Sequence, residues 1–228
     1  MNKTTFVALL LLSSQGFAET LNDSLQNIES EWASIYYSTP KQKQCAAYSR
    51  LLDKAINLSR QFPGNAEPFI WEAIVKATNA DNQDPVSALE AIHEARDLLH
   101  KAIEINPQAM DGSAYVTLGT LYYMAPKWPI AFGDDATAKE MLQTALKINP
   151  NGIDTNYFYA NYLLSNNDLK EAEKYFERAI AVPARTEQLY ADNQLKEEAK
   201  FALKQTRERK ISRSKSLFVS LFDSENVK

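Results

Sequence analysis

Apolar residues recur along this chain at helical spacing. Ala95, Leu99 and Ala102 stand four and three residues apart, and Ala138, Leu142 and Ala145 repeat the interval, as do Ala172, Phe176 and Ala179. That rhythm places each trio on one face of a helix, with polar residues on the other. Extending it predicts helices over 21 to 37, 43 to 61, 66 to 79, 85 to 105, 111 to 124, 135 to 148, 153 to 165, 169 to 182 and 187 to 210. Asp84-Pro85 opens one helix with an N-cap and a first-turn proline, and Asn167-Asp168 supplies a capped turn before another.

The prolines mark a repeat. Phe62-Pro63, Ile105-Asn106-Pro107, Ile148-Asn149-Pro150 and Val182-Pro183 each close a segment rich in alanine and leucine, at intervals of 44, 43 and 33 residues. Only the last is near the 34-residue tetratricopeptide period, so the first two units need insertions between their paired helices. The second unit carries the spacing best: Tyr115, Leu118, Gly119 and Tyr122 on its first helix, then Ala138, Leu142, Ala145 and Pro150. Small residues such as Gly119 and Ala145 belong where helices cross closely. The expected fold is all-α, a tetratricopeptide-like array of antiparallel helix pairs. The charged segment Glu187 to Lys210 serves as its C-terminal capping helix.

The ends read differently. An apolar run from Phe6 to Leu12 followed by small residues through Ala18 has the form of a signal peptide cleaved after Ala18. The expected layout is a signal peptide over 1–18, a helical domain over 19–210 and a tail over 211–228. That tail carries Leu217-Phe218-Val219-Ser220-Leu221-Phe222, with two destinations open: packing back on the array or docking to another chain. The one cysteine, Cys45, cannot make a disulfide within the chain, so packing must hold the fold.

Charge narrows the partners. Removal of the first eighteen residues takes away Lys3 and leaves 24 basic against 29 acidic residues, which argues against nucleic acid. Lys204, Arg207, Arg209, Lys210, Arg213 and Lys215 crowd the C-terminal end, expected as a solvated helix face, with contact to an acidic partner or lipid headgroups as the alternative.

Catalytic chemistry finds no support. His93, Asp97 and His100 share a helix face, but two turns hold the histidines roughly 10 Å apart along the axis, too far for one metal. Cys45 has no base beside it, and phosphate loops, serine elbows and paired-histidine motifs are absent from the sequence. The expectation is a non-enzymatic binding protein with no cofactor and no metal.

Binding residues are sought in two places. The insertion Ala125 to Asp135 holds Trp128, Pro129, Phe132 and Gly133; its two large rings either fold back on the core or meet a ligand. Asp134 or Asp135 suits the N-cap of the next helix. The concave wall, read from the repeat register, holds Ile70 and Ile74 in the first unit and Val116, Thr120 and Tyr123 in the second. Tyr157, Asn161 and Leu164 complete it in the third. So apolar a wall suits a hydrophobic small ligand or an apolar partner helix, although burial between helices is the competing reading for each residue.

The runs Trp128-Pro129-Ile130-Ala131-Phe132-Gly133-Asp134-Asp135, Ala145 to Asp154 and Asn156-Tyr157-Phe158-Tyr159 together resemble the T-component family associated with TRAP transporters. The resemblance covers about Asp111 to Arg185. It implies a periplasmic tetratricopeptide-like protein that cooperates with a transporter's solute-binding subunit, handles hydrophobic ligands and, in some members, forms trimers. One departure is that the better-known members are lipoproteins, whereas the expected cleavage site after Ala18 carries Glu19 rather than a cysteine. The alternative is a general envelope scaffold for another protein partner.

Overall fold

The computed structural model describes the backbone of residues 3–223 and the side chains of residues 21–210. Its helices are α1 (Lys3–Ser38), α2 (Lys41–Gln61), α3 (Ala66–Asn79), α4 (Pro85–Ile105), α5 (Ser113–Met124), α6 (Asp135–Ile148), α7 (Ile153–Ser165), α8 (Leu169–Ala181) and α9 (Leu189–Asp223). No strand occurs among the described residues. The chain divides into two compact units, Met1–Asn106 and Pro107–Lys228.

In the first unit α3 packs on both α2 and α4, and α1 packs on α2 and α3. Tyr48, Leu51, Ala55, Ile70, Val75, Ala95, Leu99 and Ala102 are buried there, so the trio read from α4 faces inward as its spacing requires. Glu72 is buried too, and accepts a 2.6 Å hydrogen bond from the Ser59 hydroxyl. At the head of α4, Asp84 accepts from the Ser87 hydroxyl at 2.6 Å and from the Ser87 and Val86 amides, and this loading, the hydroxyl foremost, holds its carboxyl below the usual range.

The second unit is a run of helix pairs. α5 packs on α6, α7 on α8, and α8 on α9, while α5 and α9 each lie against α7. Helices α5, α7 and α9 therefore form one layer, with α6 and α8 behind it. Gly119 lies where α5 crosses α6: a Cβ there would stand 2.7 Å from Leu142 Cγ. Behind it Ala138, Leu142, Ala145, Ala160, Ala172, Phe176 and Ala179 are fully buried.

Several boundaries differ from expectation. α1 runs from Lys3 to Ser38 rather than 21 to 37, and α2 begins at Lys41 rather than 43. α5 begins at Ser113 rather than 111, because Met110, Asp111 and Gly112 all take left-handed φ values (48°, 55° and 82°) and cannot continue a right-handed helix. α8 stops at Ala181, since Val182 precedes a proline and turns extended. α9 starts at Leu189 and its backbone stays helical past 210 to Asp223. The side chains of the signal-like segment and of Leu217 to Phe222 lie outside the described residues. The basic end of α9 is not simply solvated, as Arg207 pairs with Glu173 and Glu177 of α8, and Lys210 with Glu173.

Candidate functional site

The loop between α5 and α6 is built from its backbone outward. Gly133 N–H donates to Pro126 O at 2.9 Å and Asp134 N–H to Tyr122 O at 2.9 Å, which draws the far end of the loop back onto the end of α5. Only glycine permits that approach, because a Cβ at 133 would lie 2.1 Å from Ala125 O and 2.9 Å from Pro126 O. Asp134 then caps α6, accepting from Thr137 N–H at 2.7 Å, so of the two aspartates it is the cap. Asp135 pairs with Lys127 across the loop and raises the lysine's pKa, and the Asp135 carbonyl accepts from the Tyr162 hydroxyl of α7 at 3.1 Å.

The two rings part company. Phe132 turns inward and meets Tyr122 edge-on, centroids 5.3 Å apart, with Ala131 buried beside it. Trp128 turns outward and is 86% exposed, accompanied by exposed Pro129, Ile130 and, at the end of α5, Met124. A tethered loop thus presents a tryptophan to solvent.

The expected concave wall needs correction. Ile70 is fully buried, and Val116 is 4% exposed, so both are sealed between helices and neither can touch a ligand without opening its unit. Ile74 keeps partial exposure in the first unit. In the second, Tyr123 packs edge-on against Tyr162 and burial pushes its hydroxyl up to about 12. Asn161 donates to Tyr157 O at 3.2 Å and Thr120 to Val116 O at 2.8 Å, while Leu164 is half-buried. With Val116 sealed, the second unit's part of the wall keeps Thr120, Tyr123, Tyr157, Asn161 and Leu164.

Two features had no forewarning in the sequence. Tyr157 donates to Glu198 of α9 at 3.0 Å, which puts a carboxylate beside the wall, whereas the sequence marks Glu198 only as one of many charges on the capping helix. A cleft of about 410 Å³ also opens over α7, between Lys139 and Gln143 of α6 and Glu171 and Tyr175 of α8, floored by Tyr159 and Tyr162. Neither shows in a single helix's pattern, because the first joins helices 41 residues apart and the second three successive helices.

The histidine face on α4 assembles no site: Asp97 pairs with Arg96, and no group of three potential metal ligands occurs among the described residues. Cys45 is exposed.

The tetratricopeptide repeat family profile matches residues 130–196, under half of the chain. Among solved structures, that of MamA is similar at 17% identity and a TM-score of 0.43, over 77% of this chain and 95% of MamA. No curated protein matches. The chain is a tetratricopeptide-like helical repeat protein.

Proposed function

We propose that this is an exported, non-enzymatic adaptor of the cell envelope that docks a protein partner through its second unit, with Trp128 as anchor. The observation that carries the reading is the 86% exposure of Trp128 on a loop whose other large ring is packed and whose backbone is tied at both ends. Aromatic side chains on rigid supports supply much of the energy of protein interfaces. Repeat arrays of this class are platforms for such contacts, and the first eighteen residues support export.

A narrower second reading is a T-component-like role beside a transporter's solute-binding subunit. It draws on the Trp128 to Asp135 run, whose tryptophan is the exposed one. A purely hydrophobic small ligand has less support, given the sealing of Ile70 and Val116.

The test is a pull-down from envelope extract with the mature chain and Trp128→Ala, read by mass spectrometry and followed by affinity measurement on the recovered partner. Truncating an anchor that contributes about 2 kcal/mol weakens binding roughly 30-fold. Thermal stability stays within about 0.5 kcal/mol, as for an exposed site. Recovery of the same partner at the same affinity by both chains refutes the reading; recovery of a solute-binding protein selects the narrower one.

A further inference from the structure

The carboxylate that α9 brings to the second unit is placed as a recognition group. Glu198 Oε2 accepts the Tyr157 hydroxyl at 3.0 Å, and Oε1 takes no protein partner among the described residues. The hydroxyl comes from a ring packed against Phe158 and Phe176, so the carboxylate is held by a fixed donor. Neighbouring cations are committed elsewhere. Lys196 donates to Val182 O, Lys200 pairs with Glu197, Arg185 with Asp192, and Arg207 with Glu173 and Glu177. Among the described residues no cation pairs with Glu198, which distinguishes it from those four acids.

An acid left this way is costly to the fold. Burial pushes the Glu198 carboxyl above the ordinary glutamate value, and only the Tyr157 hydrogen bond opposes this. A partner cation would remove the cost, because an opposite charge at a partly desolvated carboxylate is worth more than one at an open surface. Asn161, one turn along α7 from Tyr157, adds an amide on the same helix face.

We propose that the α7–α9 wall of the second unit receives a lysine or arginine side chain of the partner segment, and that Glu198 is the residue that recognises it. The inference rests on the protein-docking reading above and names the chemistry of its partner. An acidic chain with a half-buried, uncompensated carboxylate on a docking wall complements a basic segment and repels an acidic one.

The probe is a random dodecapeptide library displayed on phage, selected in parallel on the mature wild-type chain and on Glu198→Gln. Glutamine keeps the shape and still accepts from Tyr157, so the variant folds, and a matching thermal unfolding curve verifies it. The wild type should enrich peptides with lysine or arginine at one position, and Glu198→Gln should lose that preference. For the best peptide, Kd should rise at least tenfold on Glu198→Gln, and by less than twofold when its basic residue is already alanine. Tyr157→Phe, which keeps the ring and removes the donor, should show a smaller loss in the same direction. Peptides selected without a basic preference, or bound by Glu198→Gln within twofold of the wild type, overturn the inference while leaving the Trp128 reading intact. Failure to enrich any peptide overturns it as well, and the parent reading is then judged separately by its pull-down.

Discussion

Replacing Gly133 with alanine tests whether the Trp128 loop is a built structure. The φ of Gly133 is not in the left-handed region, so alanine is acceptable there on backbone grounds and would slightly stabilise the chain through its unfolded state. Crowding reverses the sign. The added Cβ would stand 2.1 Å from Ala125 O and 2.9 Å from Pro126 O, and both are backbone atoms that move only if the loop opens. Opening breaks the Gly133-to-Pro126 and Asp134-to-Tyr122 hydrogen bonds, each worth about 0.5–1.5 kcal/mol, and the Phe132–Tyr122 ring contact of similar size. The ceiling is therefore about 4.5 kcal/mol, and partial relaxation brings the expected loss to about 2 kcal/mol. For a chain of this size that lowers Tm by roughly 4–8 °C. Circular dichroism of the protein gives Tm, and amide hydrogen exchange at Asp134 reports the loop directly. A Tm within 1 °C of wild type with unchanged protection at Asp134 would refute the account.

Three further outcomes follow from the geometry. Asn156→Ala removes donors to Pro150 O (3.0 Å) and Gly152 O (2.7 Å) at the α6–α7 turn and should cost about 1–2 kcal/mol by chemical denaturation; a loss under about 0.3 kcal/mol would contradict that role. Gly119→Ala drives a Cβ to 2.7 Å from Leu142 Cγ and should cost about 1–3 kcal/mol through overpacking, so a neutral result would mean that α5 and α6 separate freely. For Glu198 the folded pKa lies above its ordinary value of 4.5, so the native state holds the proton at pH values where the unfolded chain has lost it. Its contribution to stability is then greatest below 4.5 and falls as pH rises through the folded pKa. Glu198→Gln should flatten this part of the stability profile, and superimposable profiles would exclude the shift.

Several helix positions were legible because their ends are marked by local chemistry. Pro85 after Asp84 and Asp168 before α8 announce their helices, and the buried trios on α4, α6 and α8 follow from spacing alone. The left-handed turn at Met110 to Gly112 was only partly legible, since Asp111 and Gly112 tolerate that conformation but Met110 does not announce it. The site was legible only in outline. Composition cannot separate Trp128 from Phe132, because both are large rings on one loop; the position of Tyr122 decides which is covered. Register placed Ile70 and Val116 on the wall, yet neighbouring helices close over them. Glu198 reaches Tyr157 across 41 residues, a pairing no periodicity contains.

The run that motivates the T-component resemblance divides into parts with different physical meaning. From Asn149 to Asn156 it is explained by folding: Gly152 lies so close to Thr155 Oγ1 and Asn149 Nδ2 that a Cβ would stand 2.3 and 2.6 Å from them, and Asn156 locks the turn from inside. Phe132, Gly133 and Asp134 are likewise accounted for by the ring contact, the close backbone approach and the cap. Trp128 is not. With 86% of its surface in water it gains little from burial, and beside Ile130 it leaves an apolar knob in solvent. A fold that needed only closure of this loop would be served by a small polar residue at 128. The loop's internal ties therefore hold Trp128 outward at a defined place, which lowers the ordering cost of docking it against another surface. Folding accounts for Phe132, Gly133 and Asp134 but not for Trp128, and for that reason the functional reading is attached to Trp128 rather than to the run as a whole.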